Sequence, residues 1–312
     1  MYHEKVPLIL AMSLILPLHA MEQEKKWSQL LKEYEEIIDN LPIIKKQYKA
    51  HLDNDVPSPT DIRLAEIPVE ECGEGLFDFR KHPEKRVYMM PDPSYPAEGP
   101  EFNSGLPRNS QLRAAAAMRL QQMVGFLDYF APHFGYEPKQ IDIQVCDALR
   151  SENVQVFLFG LLMQKTAAEH PALSDAEVYT NVSKIAAPPG QPYIHPSGAA
   201  VDIRLWNTKT KEFLDMGEFG APWAKDPSTF PTFAENITEK QKRNRLYSLV
   251  AATHTGLVNY PGEWWHVSYG DCMHAYWTEE NSKKRVVVYD LVEQDELEVS
   301  IDNNGHFKVV TK

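Results

Sequence analysis

From Trp27 the apolar residues fall at Leu30, Leu31, Tyr34, Ile37, Ile38 and Leu41, the spacing of one helix face, and Pro42 ends or kinks that helix. The stretch from His51 to Pro107 is dense in Pro, Gly, Asp and Asn, so it reads as loops with short strands at best. Asn109 and Ser110 read as the cap of a second helix over Leu112 to Phe130, stopped by Pro132. Phe126, Tyr129 and Phe130 on that helix read as core. Ile141 to Val145 alternates in the manner of a half-buried strand. A third helix covers Val154 to Ala168, and a fourth begins near Ser174 and Asp175. Gly198 to Trp206 alternates again, with Val201, Ile203 and Leu205 on one face and Ala200, Asp202 and Arg204 on the other. A helix follows over Glu239 to Thr253, and the chain then runs through Pro261 and Gly262 into Glu263 to Tyr269. The tail carries an apolar run from Arg285 to Tyr289 and a hairpin in which Leu297 to Ile301 and Phe307 to Thr311 flank Asp302 to Gly305. Helices and strands in this irregular order predict an α+β fold.

Composition narrows the function classes. The chain has 312 residues, 43% hydrophobic and 24% charged, which is globular composition with length enough to bury a core. Its 44 acidic against 32 basic side chains give a net charge of -12, which argues against nucleic acid as a partner. Three cysteines (Cys72, Cys146 and Cys272) make no disulfide scaffold. They read as buried small residues or as one oxidised pair, and a thiolate nucleophile is the weaker reading.

The first twenty residues read as an address. A basic start ends at Lys5, an apolar run from Val6 to Leu18 is short for a bilayer, and Ala20 stands at the exit. This describes a secretory signal peptide, so the mature protein is expected to be periplasmic or secreted and free of the membrane. The expected organisation is a signal over 1–20, a helical extension over 21–59, a catalytic domain over 60–281 and a β extension over 282–312.

Two segments carry candidate chemistry, His195 to Asp202 and Glu263 to His266. They supply two imidazoles and two carboxylates, enough for a three-ligand zinc set with one acid to spare. A catalytic zinc takes three protein ligands and lowers the pKa of a water to about 7. The spare acid, whichever it is, suits a general base. On a regular strand, residues three apart point to opposite faces, so Glu263 and His266 share a site only if a turn or bulge intervenes. Pro261 and Gly262 supply the material for one.

These segments resemble the metal motifs of the D-alanyl-D-alanine dipeptidases, the zinc peptidase group that includes the vancomycin-resistance dipeptidases and the D-Ala-D-Ala carboxypeptidases. Pro188 to Gly190 through His195, Gly198, Ala200, Val201 and Asp202 resembles the first motif, and Asp215 to Gly217 the Asp-Met-Gly turn after it. Asn244 to Leu246, Gly256, Tyr260 and Glu263 to His266 resemble the second motif with its lead-in, and Asp147 to Arg150 the Asp-Ala-Tyr-Arg element. The resemblance runs in order from about residue 60 to 281. It implies one zinc ion per chain on His195, Asp202 and His266, with Glu263 as the catalytic base and Arg150 stabilising the oxyanion. It also implies the α+β scaffold shared with the hedgehog zinc domain, a small central antiparallel sheet with flanking helices. The implied substrate is D-Ala-D-Ala or a similar small cell-wall peptide. Alternatives are a D,D- or L,D-carboxypeptidase acting on longer muropeptides, or a zinc-stabilised binding module without catalysis. The chain departs from the family at Tyr193 and Ile194, where serines commonly hold the substrate termini, at Leu149 and Ser151, and at Glu218 to Gly220. These changes lie on the specificity side.

Overall fold

The computed structural model describes residues 25–81, 86–89, 110–183, 186–190, 192–220, 226–292, 297–301 and 307–311. The leader at Met1 to Ala20 and the turn at Asp302 to Gly305 lie outside the described residues. Helices are α1 (Trp27–Glu33), α2 (Glu35–Ile38), α3 (Pro42–Leu52), α4 (Ile62–Ala65), α5 (Ala114–Phe130), α6 (Glu152–Glu169), α7 (Asp175–Val182), α8 (Glu239–His254) and α9 (Cys272–Thr278). Strands are β1 (Leu76–Asp78), β2 (Val87–Met89), β3 (Gln111–Arg113), β4 (Ile141–Asp147), β5 (Ala200–Asn207), β6 (Glu212–Phe213), β7 (Val258–Asn259), β8 (His266–Ser268), β9 (Leu297–Ile301) and β10 (Phe307–Thr311). The architecture is α+β, with none of the described helices long and apolar enough to cross a membrane.

A six-stranded sheet of order β2-β4-β5-β8-β7, with β6 beside β5, forms the spine. Its pairings are antiparallel except that of β2 with β4. Alternation on β5 sends Val201, Ile203 and Leu205 into the main core, where α5 and α8 cover that face. Ala200 and Asp202 point the other way, towards the cleft side. Between Val145 and Asp147 the β4–β5 register shifts, so Val145 faces Ile203 while Asp147 faces Asp202. This bulge absorbs Cys146 and turns Asp147 to the Asp202 side, a re-aiming that only an extra residue permits.

Several helix ends follow from local chemistry. Ser151 and Ser174 accept backbone N–H groups at the starts of α6 and α7, and Glu177 completes a capping box. Pro42 starts α3 instead of only closing the helix before it, because proline's missing N–H costs nothing at the first helical position. The expected cap at Asn109 and Ser110 is corrected: Gln111–Arg113 pairs with Leu76–Asp78 and the helix begins at Ala114. Ser110 instead donates its hydroxyl to Asp78 at 2.7 Å. Tertiary pairing outweighs a local capping preference there. Tyr129 is also corrected, being 71% exposed while Phe130 is buried. The three cysteines are unpaired, and Arg285 to Tyr289 forms no strand beyond a bridge of Val287 with Val69.

The N-terminal helices share the main core. Trp27 is fully buried, meets Phe233 edge-on at 5.1 Å and donates its indole N–H to Ala234 O at 2.9 Å. Truncation of Trp27 to Ala leaves a large cavity and an unpaired carbonyl. We expect it to destabilise the protein by about 3–5 kcal/mol, measured by urea unfolding. A loss below about 1 kcal/mol would mean that α1 is a detachable appendage.

Candidate metal centre

Asp202 and His266 are cross-strand neighbours in the β5–β8 ladder, so their side chains leave the same face of the sheet. His266 Nδ1 lies 3.2 Å from Asp202 Oδ1. His195 arrives from the tight turn His195–Ser197 just before β5, and its Nε2 stands 3.4 Å from the same oxygen. That turn closes on Gly198 at φ +71°, where a Cβ would meet Leu76 Cδ2 at 3.3 Å. The positive φ favours glycine there, and an added Cβ would crowd the Leu76 side chain. The two imidazole rings meet edge-on, 4.9 Å between centroids.

One ligand atom each from His195, Asp202 and His266 lies within 4.8 Å of the others, and all three residues are buried. The donor set fits a divalent cation. His195 Nδ1 lies 2.9 Å from Ala148 O, which makes it the N–H and leaves Nε2 with a free lone pair. Charge points the same way: Asp202 brings a buried carboxylate, while Arg150 is already paired with Asp147. Burial would raise the Asp202 carboxyl, but His195 and His266 outweigh it and hold the group well below the usual carboxylate range. Burial likewise opposes a charged His195, yet the adjacent Asp202 raises it on balance.

Glu263 reaches the site because β8 does not start until His266. The backbone reverses after Asn259, with Glu263 N bonded to Tyr260 O and His266 N to Glu263 O. This turn brings the Glu263 carboxylate to 3.9 Å from His266 Nδ1, answering the strand-parity objection. Burial first, then the negative charge of Asp202, push the Glu263 carboxyl up to about 8, against a hydrogen bond from the Trp265 side chain. Arg150, on the loop after β4, approaches Asp202 Oδ2 at 3.9 Å. Its Nε donates to Asp147 at 2.8 Å and its Nη1 to Gln155 Oε1 at 2.8 Å, while Gln155 in turn bonds Ala187 O.

Supporting residues escaped the sequence reading. Asn259 is buried and its amide donates to Glu263 O at 3.0 Å and His266 O at 2.9 Å, so it holds the turn between them. Thr232 bonds the Asn259 side chain at 2.6 Å, and Gln47 on α3 bonds its carbonyl at 2.7 Å. Arg113 is also buried and donates to Ser197 O at 2.9 Å, Glu74 O at 2.6 Å and Asp290 O at 3.2 Å. It thereby ties the His195 turn to residues 71–74 and to the C-terminal segment, where Val292 N also bonds Pro196 O. An Asn beside a Pro-Gly turn was the only available signal for the first brace. Nothing in the spacing of Arg113 marks the second.

The centre opens into a cleft continuous with solvent. Arg150, His195, Asp202, Glu263 and His266 all line it. Cys272 is packed in a separate small core with Leu64 and Met273, and its thiol is raised well above its ordinary range by burial, which suits no nucleophile.

A family profile described as D-ala-D-ala dipeptidase (Peptidase_M15) matches residues 137–284. The D-alanyl-D-alanine dipeptidase of Synechocystis sp. is 27% identical over 229 residues, which span 67% of this chain and 87% of that protein. Among solved structures, that of the LdcB LD-carboxypeptidase, titled for peptidoglycan recognition, is similar at 16% identity and a TM-score of 0.32, over 57% of this chain and 71% of that one. Arg150, the three converging ligands and Glu263 all fall within residues 137–284, the span similar to the D-ala-D-ala dipeptidase family.

Proposed function

We propose that the protein is a zinc-dependent D-alanyl-D-alanine dipeptidase acting on D-Ala-D-Ala or a closely related small cell-wall peptide. The observation that carries this reading is the convergence of His195, Asp202 and His266 beside Glu263 and opposite Arg150, within one cleft. His195 Nε2, Asp202 and His266 Nδ1 are the atoms that would hold the ion. A zinc ion there supplies a Lewis acid for the scissile carbonyl and favours ionisation of the attacking water. Glu263, whose carboxylate stands 3.9 Å from His266 Nδ1, takes the water's proton and delivers it to the leaving amine. Arg150, held by Asp147 and Gln155, presents a fixed positive charge to the oxyanion that develops at the carbonyl. A purely structural metal site needs neither the base nor the arginine, which supports a catalytic reading over a binding module.

Chelation should abolish hydrolysis, and added zinc should restore it. Glu263→Gln should keep its metal, read by atomic absorption, while losing roughly 10²–10⁴ in kcat. Robust turnover by that metal-loaded variant would refute the assignment. A panel of D,D-, L,D- and L,L-dipeptides set against longer wall-derived peptides defines the substrate, and no dipeptide turnover with zinc present would remove the dipeptidase reading.

The proposed site of action is beyond the inner membrane, on the strength of the leader at Met1 to Ala20. There the reaction would recover D-alanine from wall fragments. N-terminal sequencing of exported protein should give a start at Met21. A retained Met1 in the mature protein would overturn the export reading.

A further inference from the structure

The charged groups lining the cleft are nearly all engaged. Asp202 contacts both imidazoles, Arg150 is paired with Asp147, and Glu263 is bonded by the Trp265 side chain. Glu152 is different. It lines the same cleft, is half-buried, and makes no hydrogen bond or ion pair among the described residues. It is the first residue of α6, two positions beyond Arg150, and Ser151 accepting from Val154 N at 3.2 Å fixes that end of the helix. An acidic residue in the first turn of a helix interacts favourably with the helix dipole. That effect alone would be obtained equally well by an acid facing solvent, so it does not explain a position on the cleft wall.

A free dipeptide at neutral pH carries an α-ammonium, because that group ionises near pH 8. An ammonium entering a partly dehydrated cleft needs a carboxylate partner, or its desolvation goes uncompensated. Asp202 is committed to the two imidazoles and Glu263 to the reacting water. Along the same cleft, Leu158, Leu162, Ala186 and Ala187 offer an apolar surface suited to small side chains.

From this arrangement we infer that Glu152 is a specificity-determining residue that binds the free α-ammonium of the substrate, restricting the enzyme to peptides with an unblocked amino terminus. The inference rests on the dipeptidase reading and deepens it. Charge-assisted hydrogen bonds of this kind are worth about ten- to a hundredfold in affinity.

The test compares D-Ala-D-Ala with N-acetyl-D-Ala-D-Ala on zinc-loaded wild type, Glu152→Gln and Glu152→Asp. Wild type should favour the free dipeptide, and in Glu152→Gln the ratio of kcat/KM between the two peptides should fall by about tenfold or more, through KM more than kcat. Glu152→Asp, which keeps the charge, should recover part of the ratio. An unchanged ratio in Glu152→Gln, or equal losses on both peptides, would overturn the assignment. Should wild type hydrolyse neither peptide, the dipeptidase reading fails, and calorimetry with D-Ala-D-Ala decides Glu152 separately. Weaker binding to Glu152→Gln than to wild type supports the role, while equal binding or none removes it.

Discussion

Asp202 stands directly across from His266 in an antiparallel ladder, and the candidate centre depends on that register. A slip of one residue would turn His266 or Asp202 into the apolar core and bring a valine to the cleft. The register is protected by what lies behind it. Val201, Ile203, Leu205 and Val267 are all buried in the main core, so any slip that broke the site would also expose them. The same alternation that builds the hydrophobic core therefore aims the ligands. Stability and chemistry share one constraint, and neither can drift without the other.

Around this ladder the protein gathers charge that would be costly to bury without a cation. Among the described residues, Asp147 and Asp202 approach the Arg150 guanidinium, while Asp202 and Glu263 stand beside the imidazoles. The consequences run in opposite directions for two neighbouring carboxyls. Asp202, between two imidazoles, is held low, whereas Glu263, facing Asp202 and removed from water, is pushed up. The two carboxyls therefore meet opposite surroundings although both line one cleft. Two residue types that look alike in the sequence are separated by their surroundings.

The elements outside the matched domain are joined to this centre through backbone carbonyls and turn-holding side chains. Gln47 from α3 reaches Asn259, which holds the Glu263 turn, and Arg113 bonds the Ser197 carbonyl beside the His195 turn. From the C-terminal side Val292 N bonds Pro196 O in the same turn, and Asp290 O accepts from Arg113. The extensions thus frame both halves of the centre while supplying none of its ligands. Their link to function is positional, carried by backbone geometry.

Periodicity and local chemistry made much legible. The two faces of β5, the capped starts of α6 and α7, and the hairpin of β9 with β10 were all readable, because each depends on neighbours a few residues away. The motif resemblance singled out His195, Asp202, His266, Glu263 and Arg150, since side-chain types in order survive in one dimension. What was hidden depends on distant partners. Ser110 looks like a cap until β1 pairs with the following residues, and Pro42 looks like a stop until α3 packs. The bulge at Cys146, the turn that brings Glu263 beside His266, and the braces from Asn259 and Arg113 exist only once strands have chosen their partners. The amino-acid order by itself determined which groups could bind a metal and move a proton. The tertiary structure decided that they meet, because register, bulge and turn are set by long-range backbone pairing, which the local pattern of residues does not encode.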